Sequence, residues 1–282
     1  MSGVLEGKVA VVVGGGRGIG RAVALGLARE GARVVITDSG CALDGTGHDA
    51  SVAQAVAEEV RSLGAEALAL DLDASASDAA RHMMDATRQE FGRVDVGFYA
   101  AGITREKALV RLADSDFEAV FDVHVRGALR FTREIATAMI EQRTGGSILL
   151  TMSAAGLFGA TQQTSLGMAA GAVAALTKTA ATELRRHGIR VNAIAPTART
   201  RLTENLPLFQ SIRADSLSAE HVVPVACHLL SDASADVHGE LIGVAGGRIY
   251  AFRTNETSGL FQEGPPVELA ALATKFREVT RS

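Results

Sequence analysis

Val9-Ala-Val-Val-Val-Gly-Gly-Gly-Arg-Gly-Ile-Gly-Arg-Ala-Val-Ala24 decides how this 282-residue chain folds. Val9 to Val13 are consecutive small or β-branched apolar residues and read as a strand buried on both faces. The glycine cluster behind them lets the backbone turn tightly without Cβ clashes. Ile19, Val23 and Leu27 then recur at helical spacing, so the unit is strand, glycine loop, helix. Such a loop aims backbone N–H groups and a helix N-terminus at whatever lies above Gly14 to Gly20, an arrangement that holds phosphate. The competing reading is that these glycines only permit close helix–strand packing.

Outward from this unit, strand and helix alternate. Ala32 to Asp38 is a second buried strand ending in a carboxylate, and Asp38 lies 18 residues past Gly20. An acid so placed accepts hydrogen bonds from an adenosine ribose and repels a 2′-phosphate, which favours NAD over NADP. Arg17 pulls mildly toward NADP, because a cation could meet that phosphate. Ser39 to Asp49 is a long polar loop, read as a surface insertion, and Asp49 is the expected N-cap of a helix over 50–63. Further strands are expected at 67–72, 94–101, 145–153, 188–196 and 241–245, with helices over 77–91, from Asp114 through His124 toward Gln142, over 169–187 and over 219–230. The alternation predicts an α/β fold: one Rossmann-type, doubly wound domain with a seven-stranded parallel sheet flanked by helices. Residues 1–252 are expected to form that domain and 253–282 a C-terminal tail that packs on it or on a neighbouring subunit. Residues 197–216 read as a mobile lid.

Composition narrows the function. Net charge is -4, with 47% hydrophobic and 21% charged residues, so there is no electrostatic footprint for nucleic acid or an anionic membrane. No apolar run approaches the ~20 residues of a membrane span, and the N-terminus lacks a signal-peptide core, so a cytoplasmic location is expected. Cys41 and Cys227 match no metal-ligand spacing and read as reduced, inert thiols; no metal site is expected.

Over roughly residues 5–252 the order of motifs resembles the short-chain dehydrogenase/reductase family. The carrying residues are Gly14-Gly-Gly-Arg-Gly-Ile-Gly20, Asp38, Asp71, Ala101-Gly102, Ser153, Arg190-Val-Asn-Ala-Ile-Ala-Pro196 and the stretch from Gly239 to Gly247. Asp38-Ser-Gly-Cys-Ala-Leu-Asp-Gly-Thr-Gly47, Val123-His-Val-Arg-Gly127 and Ile194 to Thr203 are similar to members acting on 3-hydroxyacyl-CoA thioesters. The resemblance implies a nicotinamide cofactor, NAD or else NADP, held by Gly14, Arg17, Gly18, Ile19, Gly20, Asp38, Asp71, Ala101, Gly102 and Pro196. It also implies assembly through paired long helices, as a homo-oligomer or with an active homologue.

The same comparison exposes departures. In that family a Ser is followed thirteen residues later by a Tyr that transfers the proton, and four further on by a Lys that lowers the phenol's pKa. Here Ser153 matches, but Leu166 and Ala170 stand at the other two positions, and no Tyr-x-x-x-Lys occurs anywhere in the chain. Val13 replaces a Thr that ties the loop to the sheet, and Tyr99-Ala-Ala-Gly102 replaces an Asn-Asn-Ala-Gly turn, with the Tyr99 ring expected near the adenosine. Three functions stay open: a catalytically impaired subunit, an oxidoreductase using a substitute relay of Ser153 and His124, and a cofactor-sensing module.

Overall fold

The computed structural model describes residues 3–213 and 215–280, so residue 214 of the expected lid and the last two residues of the tail lie outside the described residues. The chain opens with β1 (Val9–Val13), α1 (Gly18–Arg29), β2 (Arg33–Thr37), α2 (Ser51–Ser62), β3 (Ala67–Leu70), α3 (Ala79–Phe91) and β4 (Val96–Tyr99). Next come α4 (Asp114–Phe121), a π-helical turn over Asp122–Gly127, α5 (Ala128–Gln142), β5 (Gly146–Thr151), α6 (Ala155–Phe158), α7 (Thr164–Leu184) and β6 (Ile189–Thr197). A unit ending at Ala251 is completed by α8 (Pro207–Gln210), α9 (Val223–Leu230), β7 (Leu241–Ala245) and β8 (Arg248–Ala251). A second unit starts at Phe252 and carries α10 (Leu269–Thr280), where the Thr257 hydroxyl donates to the Val279 carbonyl at 2.6 Å.

The strand order is β3-β2-β1-β4-β5-β6-β7-β8. All neighbours from β3 to β7 are parallel, as the β-α alternation requires, and β7 pairs with β8 antiparallel. The expected seven-stranded parallel sheet is therefore an eight-stranded, mostly parallel one. β8 was missed because it is a short edge strand with exposed Arg248 and Ile249, so no buried run announces it. Gly246-Gly247 closes the hairpin, with Ala245 opposite Arg248 and φ of +57° at Gly246.

Connections wind away in opposite directions from β1, which sits between β2 and β4, and a crevice opens at the carboxyl ends of such strands. β1 is buried at all five positions, and Ile36, Phe98, Leu149 and Ile194 extend the core on the same side as α1 and α9. On β6, Asn192 is fully buried; its amide donates to the Val237 carbonyl at 3.0 Å and its oxygen accepts from Glu240 N at 2.9 Å. That clamp fixes the approach to β7. Pro196 does not end β6, which runs on through Thr197 with Pro196 opposite Val244.

Two further boundaries bear on the site. α7 begins at Thr164, five residues before the expected start at Ala169, which puts Leu166 and Ala170 four apart on one helical face. The expected helix carrying His124 is interrupted by the π-helical turn, an irregularity that hydrophobic periodicity does not signal.

The glycine turn is the tightest backbone approach in this region. A Cβ at Gly20 would stand 2.0 Å from the Gly14 carbonyl oxygen, and neither atom belongs to a flexible side chain. Gly20→Ala should therefore cost about 1–3 kcal/mol, read as a lower urea midpoint with the slope of the transition unchanged.

Candidate active site

Gly14 turns the chain out of β1 with φ of +72°, and the N–H groups of Gly14 and Gly15 both donate to the Thr37 carbonyl at 2.8 and 3.0 Å. These two bonds tie the loop to β2 by backbone alone, so Val13 needs no hydroxyl for that purpose. A Cβ at Gly14 would meet Ala101 N at 2.5 Å. The loop is thus pressed against the end of β4, and Gly14, Arg17, Gly18, Ile19 and Gly20 line one side of a cleft of about 610 Å³. Ala101, Gly102 and Pro196 line its floor and far wall. The volume suits a cofactor-sized ligand.

Asp38 stands at the mouth of this cradle. Its Oδ2 accepts from Gly16 N at 2.9 Å and its Oδ1 from Gly40 N at 2.8 Å, leaving each oxygen capacity for another donor. The Arg17 guanidinium, which also lines the cleft, donates to the carbonyls of Gly40 at 3.3 Å and Cys41 at 2.9 Å. Arg201 adds a second bond to the Cys41 carbonyl at 2.9 Å, and Arg105 donates to the Asp44 carbonyl at 2.7 Å. The expected surface insertion is therefore fastened along the cleft rather than hanging free. Its Asp49 accepts from Ser51 N at 3.0 Å, but α2 starts one residue later than expected and its N-cap is Ala50, not Asp49.

Asp71 is the one expected cofactor residue that does not line the cleft; its carboxylate is held 2.8 Å from His48 Nε2, and His48, Leu72 and Asp73 form the wall in front of it. Tyr99 is not near an adenosine position. Its ring is 2% exposed and packs on Phe131 at 5.5 Å, and its hydroxyl donates to the Val123 carbonyl at 2.5 Å. Strand alternation decides this, since Tyr99 points to the α5 side of β4. The ring therefore does not obstruct the cradle.

At the other end of the cleft Ser153 follows β5, and its Oγ accepts from Ala155 N at 3.2 Å at the entry to α6. Leu166 and Ala170 of α7 face the same space. His124 lines it too, with its Nε2 3.1 Å from the Ile103 nitrogen and 2.9 Å from the Ile103 carbonyl oxygen, so that it accepts from the N–H in one tautomer and donates to the carbonyl in the other. Burial lowers its pKa and the bond to Ile103 only partly offsets this, so the ring is neutral near pH 7. Cys41 also lines the cleft, while burial pushes the Cys227 thiol up to about 12, far from reactivity.

Sequence reading missed Glu106, which lines the cleft from the loop after β4. Thr104-Arg-Glu-Lys107 looks like a solvated charged turn, and nothing in it signals burial. Yet both Glu106 carboxylate oxygens are shut off from solvent without a hydrogen-bond partner. Desolvation pushes this carboxyl up to about 6, and the neighbouring Thr104 hydroxyl, outside hydrogen-bond geometry, offsets the shift only in part.

A glycine cradle at a strand-order switch point, with Asp38 beside it, defines a Rossmann-type fold. The chain belongs to the short-chain dehydrogenase family, whose sequence pattern matches residues 8–209. It is 37% identical to the hydroxyacyl-CoA dehydrogenase ChsB1 of Mycobacterium tuberculosis, over 87% of this chain and 79% of that protein. It is 34% identical to the peroxisomal hydratase-dehydrogenase-epimerase of Saccharomyces cerevisiae over 97% of this chain, which spans 30% of that longer protein. A crystal structure of a short chain dehydrogenase from Mycobacterium avium superposes with a TM-score of 0.87 at 33% identity, covering 99% of this chain and 96% of that one.

Glu106 has a direct consequence for stability. Its folded pKa lies above the ordinary 4.5, so the wild type loses stability as pH rises from 4.5 to about 6 and the loss is complete above that. Glu106→Gln should melt about 2 °C or more above the wild type at pH 7 and show no such gain below pH 4.5, as followed by scanning calorimetry.

Proposed function

We propose that this chain binds a nicotinamide dinucleotide, NAD in preference to NADP, and that the phenol–ammonium route of proton transfer is lost, leaving a catalytically impaired member of its family. The observation that carries the reading is the pair Leu166 and Ala170, which face the cleft beside Ser153 where the family resemblance calls for the acid and the cation. Neither side chain can donate or accept a proton. General acid–base catalysis by a placed group contributes typically ~10²–10⁴-fold, and that contribution is absent here.

The residues present fit the dinucleotide. The Gly14 to Gly20 cradle and the start of α1 suit its pyrophosphate, and Asp38 suits the ribose hydroxyls. NAD is favoured because Asp38 repels a 2′-phosphate and Arg17, the cation that could have met one, is committed to two backbone carbonyls. When bound, the nicotinamide supplies hydride acceptance or donation. The similarity to a hydroxyacyl-CoA dehydrogenase supports a 3-hydroxyacyl-CoA or a related secondary alcohol or ketone as the second ligand. Exposed Leu129 of α5 and Met168 of α7 support assembly through these helices, with a second copy or an intact homologue. No helix among the described residues is long and apolar enough to cross a membrane.

The relay through Ser153 and His124 has weaker support, because in either tautomer the His124 Nε2 is engaged by the Ile103 backbone. Restoring both lost groups tests the reading. Leu166→Tyr with Ala170→Lys should raise NAD-dependent oxidation of 3-hydroxybutyryl-CoA by about 10²-fold or more over the wild type. Unchanged turnover in the double variant, with NAD still bound, would show that the defect lies elsewhere. Ser153→Ala should leave any residual turnover of the wild type unaltered; a large loss would mean that the Ser153 hydroxyl still takes part in chemistry.

A further inference from the structure

Two segments far apart in the chain meet at the cleft: the stretch that leaves β6 and the insertion that leaves β2. One bond joins them. Arg201 Nη1 donates to the Cys41 carbonyl at 2.9 Å, linking residues 160 positions apart. Beside it Thr200 lies over Gly18, the first residue of α1, with its methyl carbon 3.4 Å from where a Cβ on Gly18 would stand. On the other side Gly40, the neighbour of Cys41, donates to Asp38. Gly18, Asp38, Cys41, Thr200 and Arg201 all line the cleft, so the bond sits between the glycine cradle and the acid expected to hold the ribose.

Both ends of this bond are firmly rooted. After β6, Arg199 donates to the carbonyls of Phe209 and Ile212, and Thr203 Oγ1 accepts from Thr200 N at 2.9 Å and donates to the Ala198 carbonyl at 2.7 Å. In the insertion, Ala42 N donates to the Thr46 carbonyl at 2.7 Å and Asp49 N to that of Ser39 at 2.9 Å. The joining bond is of another kind. Arg17 donates to the same Cys41 oxygen at 2.9 Å, so that oxygen keeps a donor when Arg201 lets go. The half-buried guanidinium of Arg201 can then pass to water. Opening therefore orphans no buried polar group, the usual penalty for breaking such a contact, while closing regains a charge-assisted bond.

We propose that the Arg201 bond to the Cys41 carbonyl is a latch across the dinucleotide mouth, which must open before the ligand enters or leaves. The proposal rests on the dinucleotide reading above and goes beyond it: Arg201 is a positioning residue that sets the rate of exchange, not the strength of binding. A bond made equally in the free and the bound protein cannot shift the equilibrium between them. Its loss speeds entry and exit by the same factor.

Stopped-flow fluorescence of NADH, with release followed by displacement with excess NAD, reads both rates. One charge-assisted bond corresponds to about a tenfold change in rate. Arg201→Leu should therefore bind and release NADH about tenfold faster than the wild type with Kd within about twofold, and Arg201→Lys, which keeps a donor on a long stem, should fall nearer the wild type. A second readout needs no dinucleotide. Cys41 lines the cleft and Cys227 is buried, so labelling of the free protein by a bulky fluorescent maleimide reports access to Cys41. That labelling should also be about tenfold faster in Arg201→Leu. Unchanged NADH rates or unchanged Cys41 labelling overturns the latch. Faster release with unaltered association also overturns it, because Arg201 would then be touching the ligand itself. If the wild type binds no NADH, the dinucleotide reading fails, and the Cys41 labelling alone decides whether the bond gates the cleft.

Discussion

The Thr37 carbonyl oxygen, at the end of β2, receives the N–H groups of both Gly14 and Gly15, and the geometry of the cleft follows from that shared acceptor. The two bonds fold the glycine turn back over the sheet, where Gly14 presses on the backbone of Ala101 and Gly20 on the carbonyl of Gly14. Side chains are excluded at these two positions by backbone atoms that cannot move aside. α1 consequently starts at Gly18 with its N-terminal turn aimed into the crevice between β1 and β4, where strand order reverses. An open space beside the N-terminus of α1 is thus the result of backbone packing, before any side-chain chemistry enters.

The two ends of the cleft differ in character. One has the glycine cradle and Asp38, with the insertion of 39–49 bonded down by Arg17, Arg105 and Arg201. The other is lined by Ser153 and by Leu166 and Ala170 from α7. Thr151 and Glu106 both line the cleft, and Thr151 Oγ1 and the Glu106 oxygens are shut off from solvent without hydrogen-bond partners, a cost that buried polar atoms ordinarily avoid.

Much of the architecture was legible in the sequence because parallel strands buried on both faces leave continuous apolar runs: β1 and β7 match their expected bounds, and the other interior strands fall within a few residues of theirs. β8 was not legible, since an exposed edge strand carries no such run. The cradle residues were legible because only glycine fits where backbones touch. The orientation of Tyr99 was not, because a strand's end residue can face either layer until the register is known, and its ring went to Phe131 in the core. Asp71 was placed in the cleft from its position in a motif, whereas its carboxylate is drawn to His48 of an insertion whose path could not be read. Glu106 was invisible for a related reason: its burial comes from how a loop folds, and loop conformation has no periodic signature.

The central proposal is that the cleft holds a dinucleotide although Leu166 and Ala170 stand where the family resemblance calls for a proton-transferring pair. Calorimetric titration of the purified wild-type protein with NAD and, separately, with NADP tests it most directly. The account predicts a saturable one-site heat for NAD and binding of NADP at least about tenfold weaker, since the Asp38 carboxylate would repel a 2′-phosphate while the Arg17 guanidinium is bonded to the Gly40 and Cys41 carbonyls. No binding of either dinucleotide, or tighter binding of NADP, would contradict it.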